Sequence, residues 1–127
     1  MTKSPSPTDF YLRLKEIFPE EAKIVRADES GFGILHVEVG TFSRLTEDAL
    51  EADKLWRARC HLSFVEELLD ADNSELENTL AVSYLENVFW APRSTQKSKL
   101  LEPYLGKRSR RLLDALITHM NRIHAEN

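Results

Sequence analysis

Residues 73–90, NSELENTLAVSYLENVFW, restrict the fold more than any other stretch of the chain. Read as a helix at about 100° per residue, Leu80, Ala81, Val82, Tyr84, Leu85, Val88 and Phe89 cover roughly 200° of its circumference, against the ~100° stripe of an ordinary surface helix. A helix so broadly apolar needs neighbours on two sides, which places it in the middle layer of a helical stack. The remaining strip, Thr79, Ser83, Glu86 and Trp90, is polar as far as the tryptophan and is expected to face water or a partner.

The rest of the chain supplies the neighbours. Ser6-Pro7-Thr8-Asp9 reads as a helix opening, with Ser6 as N-cap, proline at the first helical position and an acid three residues after the cap. Phe10, Leu14, Ile17 and Phe18 repeat behind it at helical spacing. Pro19 to Ala27 predicts a second short helix, with Glu20 and Glu21 in the first turn where the dipole favours anions. Residues 29–33 are a loop. Residues 34–39 are ambiguous, because Leu35, Val37 and Val39 alternate as in a strand whereas Leu35, Val39, Phe42, Leu45 or Thr46, and Ala49 fit a helix. A lone strand would have no ladder partner, so a helix from about His36 or Gly40 to Ala52 is expected.

Leu55, Ala58, Leu62, Val65 and Leu69 mark the next helix, with Asp53 as its N-cap. Residues 70–73 are a tight connection, and Asp72 with Glu75 offers a capping box to the helix quoted above. Ala91-Pro92-Arg93 closes that helix, 94–101 form a short one stopped before Pro103, and Gly106 opens an amphipathic last one carrying Leu112, Leu113, Leu116, Ile117, Met120 and Ile123. Short links make antiparallel neighbours. The expected fold is all-α, a single domain over 1–127 in a compact stack of about five to six antiparallel helices, with 1–6 disordered.

A chain of 127 residues holds one core. Its content, 42% apolar and 30% charged, is that of a soluble globular protein, and no apolar run approaches the ~20 residues of a bilayer span. No membrane association is expected. MTKSPSPTDF lacks the apolar segment of a secretory signal, and the lone Cys60 has no partner for an internal disulfide, so a cytoplasmic setting is expected. The net charge of −4 is unevenly placed: residues 1–92 hold 18 acids and 9 Lys/Arg, residues 93–127 hold 3 and 8. An acidic body with a basic tail bears on partners and association rates.

The candidate chemistry is thin. His119 and His124 are five apart and diverge on a helix, so they do not form a metal pair, and His36, His61, His119 and His124 are expected as surface or capping residues. Cys60 and His61 point about 100° apart, which leaves Cys60 a core or boundary residue. Gly31-Phe32-Gly33 lacks the spacing of a phosphate loop. The acids at 47–53 and 70–77 sit near helix ends, where capping explains them. No catalytic residue, metal or cofactor is expected, and the chain does not read as an enzyme. Lys107-Arg108-Ser109-Arg110-Arg111 is the sharpest charge cluster. It supports an alternative reading as a nucleic-acid or regulatory binding module, although no interleaved aromatics accompany it.

Two stretches, FVEELLDADNSELENTLAVSYLENV (64–88) and YLGKRSRRLLDAL (104–116), resemble a family of small all-helical bacterial proteins. In that family a helix, an acidic turn and a Val-Ser-aromatic-Leu-Glu-(Asn/His) helix precede a closing Leu-Gly segment; here these are Val82 to Asn87 and Leu105 to Leu113. The family includes immunity proteins of contact-dependent growth inhibition and other polymorphic toxin systems. The resemblance implies a cytoplasmic inhibitor that binds one cognate toxin domain, frequently a nuclease, with no role for nucleic acid or membrane. A nuclease has a basic cleft that an acidic helical surface can occlude. The expected toxin-binding residues are Glu47, Asp48, Glu51, Asp70, Asp72, Glu75, Glu86 and Trp90, with Trp90, Trp56 and Tyr84 as candidate aromatic anchors.

Overall fold

A computed structural model describes residues 7–126, and among them every regular element is helical. The seven α-helices are α1 (Asp9–Ile17), α2 (Pro19–Ala27), α3 (Leu35–Glu51), α4 (Leu55–Leu68), α5 (Ser74–Leu80), α6 (Thr95–Leu101) and α7 (Lys107–Glu126), slightly more than the five to six expected. The all-α, single-core architecture is as the sequence implies. The expectations that fall on residues 1–6, Ser6 as a cap among them, lie outside the described residues.

The helix starts differ from expectation. Thr8 caps α1, its hydroxyl accepting the Tyr11 N–H at 3.0 Å. Asn73, not Asp72, caps α5 by accepting the Leu76 N–H at 3.1 Å. Asp53 does not cap α4, whose N-cap position is held by Lys54. Asp53 instead adopts φ 59°, the left-handed conformation that ends α3, and lets the Lys54 N–H reach the Ala49 carbonyl at 2.8 Å. At α5 the capping side chain stands one position from the acid that the motif favoured, because several short polar residues compete at that turn, and at α4 no side chain caps the helix.

The ambiguous stretch 34–39 is helical. Val39, Phe42, Thr46, Ala49 and Leu50 line the buried face of α3, while Val37, the residue that only the strand pattern needed inside, is exposed. Phe42 lies at the centre of an aromatic core. It contacts Phe10 at 5.9 Å, Phe64 at 5.7 Å, His61 at 4.6 Å and Tyr84 at 5.4 Å between ring centroids. Edge-to-face and offset pairs of this kind add to area burial.

The quoted stretch is the middle layer, with an altered geometry. From Ala81 to Trp90 the chain runs on from α5 as a π-helix, in which the ladder widens to i→i+5 and ends with the Ala91 N–H on the Glu86 carbonyl at 2.9 Å. It packs against α3, α7 and α6. Leu80, Ala81, Tyr84, Leu85 and Val88 are buried, as the broad arc required. The edges of that arc differ from expectation: Val82, expected inside, is 43% exposed in the wider turn, and Thr79, in α5 and expected on the wet strip, is fully buried with its hydroxyl on the Glu75 carbonyl at 2.8 Å. Ser98 of α6 donates to the Val88 carbonyl at 2.7 Å, meeting part of the backbone that this geometry leaves short of partners. Among the described residues no helix is long and apolar enough to cross a membrane.

Candidate protein-binding surfaces

Four glutamates turn inward and tie elements together. Glu38, in the first turn of α3, accepts the Thr8 hydroxyl and, at 2.7 Å, the N–H of Gly33, whose φ of 89° suits glycine. Glu47 accepts the Arg93 backbone N–H at 2.9 Å and fastens the end of the π segment to α3. Glu66, on α4, accepts the N–H groups of Arg108 at 3.0 Å and Ser109 at 2.8 Å, filling the N-terminus of α7. Burial disfavours its charge, but these backbone donors with the nearby Arg108 hold its carboxyl below the usual range. A Cβ on Gly106 would stand 2.3 Å from Glu66 Cδ, so the tie requires glycine there.

The fourth, Glu21, ends a hydrogen-bonded chain through the core. Its carboxylate takes the Arg57 guanidinium at 2.5 Å and His61 Nε2 at 2.7 Å; His61 Nδ1 lies 2.9 Å from the Thr46 hydroxyl, which lies 2.8 Å from the Tyr84 hydroxyl. Burial lowers the His61 pKa, partly offset by Glu21, and burial pushes the Tyr84 hydroxyl well above its ordinary value. With a neutral imidazole the donors run one way: Tyr84 to Thr46, Thr46 to His61, His61 to Glu21. Each buried group is then satisfied, which is what makes so polar a core tolerable. His61, read as a surface or capping residue, is only 1% exposed, and Cys60, read as core or boundary, is exposed. The helical spacing from Ala58 to Val65 already places position 61 on the buried face.

Beside this chain opens a cleft of about 410 Å³ between α2, α3 and α4, reaching Glu21, Arg57 and His61. Ile24, Leu45, Ala49 and Trp56 give it apolar walls, and Glu20, Asp48 and Lys54 line it as well. Trp56 is 61% exposed, an unusual position for the largest apolar side chain. Of the three candidate anchors it alone stands well out on the surface: Tyr84 is fully buried and Trp90 half-buried.

The acids expected to bind a partner fall at two ends of the bundle. Glu47, Asp48 and Glu51 lie at the end of α3, Asp70 and Asp72 lie between α4 and α5, and Glu75 lies in the first turn of α5. The 14 residues of α4 separate the two groups by about 21 Å. At the first end Glu47 is only 7% exposed, and all three acids share Arg93, at 3.4, 2.8 and 3.5 Å; the neighbouring Asp53 meets Lys97. At the second end Asp70 meets Arg108 at 2.9 Å, whereas Asp72 and Glu75 are exposed and make no ion pair among the described residues. Glu86 and Trp90 are half-buried on the π segment. Sequence reasoning missed Asp9 and Glu67, which the folding of α1 against α4 brings to this second end.

The basic cluster is divided by its helix. Arg108 pairs with Glu66 and Asp70, Arg110 pairs with Glu102 at 3.1 Å, and Ser109 is buried, while Lys107 and Arg111 are exposed. Neither a curated protein nor a solved structure matches the chain. Residues 11–121 match a family model described as a domain of unknown function, DUF7674, and the chain belongs to that family.

Proposed function

We propose that this chain is a cytoplasmic protein-binding protein that neutralises a basic partner, most specifically the immunity protein of a cognate bacterial toxin domain such as a nuclease. The observation that carries the reading is the fate of the charges. Arg13, Arg57, Arg93, Lys97, Arg108 and Arg110 are engaged by acids of the same chain, so the acidic excess is left on the surface, where Asp72 and Glu75 are exposed and make no ion pair among the described residues. An acidic face steers a basic protein to it and speeds encounter. The exposed Trp56 adds an aromatic of the type that anchors interfaces. The resemblance of 64–88 and 104–116 to toxin-immunity proteins supports the same partner class.

The test is co-expression with the toxin domain encoded beside the chain. Restored growth, with a 1:1 complex on gel filtration, is the expected result; toxicity unchanged by an abundant, folded chain contradicts the reading. The alternative use of Lys107 to Arg111 on nucleic acid is weakened by the internal pairing of Arg108 and Arg110. It predicts salt-sensitive retention of pooled RNA or DNA in a gel shift, where the inhibitor reading predicts none at physiological salt.

A further inference from the structure

Two clefts adjoin at the end of the bundle where α1 begins and α4 turns into α5. One, of about 280 Å³, lies among Thr8, Gly33, Leu35 and Glu75; the other, of about 430 Å³, lies among Arg13, Glu67, Leu68 and Asp70. Asp9, Phe10, Asn73 and Leu76 line both, so the two form one groove. Its floor is apolar, with Phe10 and Leu68 buried and Leu35 and Leu76 half-buried. Its rim carries Asp9, Glu67, Asp70 and Glu75. Among the described residues lining it Arg13 is the one cation, shared by Glu16 at 3.2 Å and Glu67 at 3.7 Å, and Arg108 reaches the rim from α7 to meet Asp70 at 2.9 Å.

The walls are fixed before anything binds. Glu38 joins Thr8 to Gly33, and Asn73 caps α5, so three chain ends around the groove are pinned by side-chain hydrogen bonds. A preformed groove spares its occupant the cost of ordering it. The rim acids are dispersed: among the described residues no three or more His, Cys, Asp or Glu side chains converge to hold a metal ion. Charges spaced along an apolar floor suit several cations spaced along a chain. At the opposite acidic end Glu47, Asp48 and Glu51 all meet Arg93 and Asp53 meets Lys97, whereas on the groove rim Asp70 meets Arg108 and Glu67 meets Arg13 but Asp9 and Glu75 make no ion pair among the described residues.

We infer that this groove docks an extended basic segment of the partner protein, in which an apolar side chain rests on Phe10, Leu68 and Leu76 between lysines or arginines that face Asp9, Asp70 and Glu75. The inference rests on the reading of the chain as a binder of a basic protein, and it names the surface and the segment. Alternate anchoring of this kind gives register through the apolar residue and attraction through the charges.

The test uses the isotopically labelled full chain and two synthetic ten-residue peptides, one with a central leucine among lysines and one with that leucine replaced by serine. In NMR titrations the leucine peptide is expected to shift amides at Asp9, Phe10, Gly33 and 67–76, and the serine peptide to bind about fivefold more weakly. The double variant Asp70→Lys/Glu75→Lys, at exposed positions, is expected to lose about tenfold in affinity, whereas Asp48→Lys/Glu51→Lys is expected to change it less than twofold. No binding at millimolar peptide, shifts spread over the surface or centred on Trp56, or equal affinity for the two peptides overturns the inference. If the toxin domain still binds Asp70→Lys/Glu75→Lys and is lost from Asp48→Lys/Glu51→Lys, the groove is wrong while the inhibitor reading stands; if it binds neither variant nor the unaltered chain, that reading fails first.

Discussion

His61 Nε2 meets the Glu21 carboxylate at 2.7 Å across 40 residues of sequence, and burial there favours the neutral imidazole. Burial lowers the His61 pKa below 6.5, so below that pH the unfolded chain takes up a proton more readily than the folded one, and stability falls as pH falls toward the folded value. For Glu21 burial opposes ionisation, but His61 and Arg57 outweigh it and hold the carboxyl below 4.5. Its contribution is present above that pH and is lost on further acidification. Urea melts are therefore expected to show stability declining in two stages, below about pH 6.5 and again below about pH 4.5, with a slope of at most ~1.4 kcal/mol per pH unit for each group. The conservative variant His61→Gln should flatten the first stage and keep the second; an identical first stage in the variant contradicts the assignment.

Gly106 and Glu66 make a second linked pair. Gly106→Ala pushes a methyl into the Glu66 carboxylate, which two backbone N–H groups hold in place. Both Gly106→Ala and Glu66→Ala are expected to cost about 1–2 kcal/mol in chemical denaturation, and the double variant to cost less than the sum, because each removes the same cap. Strict additivity would show that the two act separately.

Trp56 stands largely in solvent, so Trp56→Ala should leave the melting temperature within the range of a surface change, about ±0.5 kcal/mol. If the tryptophan anchors the partner, the same substitution should weaken the complex by about 2 kcal/mol or more, chiefly through faster dissociation. A large loss of stability with unchanged binding would make Trp56 a structural residue instead.

Charge and anchor separate kinetically. Glu75→Lys, at an exposed acid that makes no ion pair among the described residues, is expected to slow association several-fold at low salt and to matter little above about 0.5 M NaCl. Stopped-flow association rates against ionic strength decide this, and an effect confined to dissociation contradicts electrostatic steering at this end.

The sequence carried the helical layout well, because the spacing of large apolar residues in α1, α3 and α4 depends only on which face is buried. Even the ambiguous start of α3 yields to the physical argument that a lone strand has no partner. Caps were less legible: Asn73 stands beside the equally plausible Asp72, α4 starts with no side-chain cap at all, and Thr8 is held in place by its tertiary contact with Glu38. The π-helix from Ala81 to Trp90 left no mark in a pattern read at 3.6 residues per turn, and the exposure of Val82 is where the two readings part. Of the candidate surface, Asp70, Asp72 and Glu75 were visible as a run. Asp9 and Glu67 were not, since they join it through the packing of α1 on α4.

The most direct measurement is calorimetric titration of the purified chain with the product of the neighbouring gene, which the proposed function takes to carry the toxin domain, at 0.05 and 0.5 M NaCl. A 1:1 complex of nanomolar affinity, weakened by about tenfold or more at the higher salt and further by Asp70→Lys/Glu75→Lys, is the expected result. Absence of binding, or an affinity indifferent to both salt and charge reversal, contradicts an acidic chain built to dock on a basic protein.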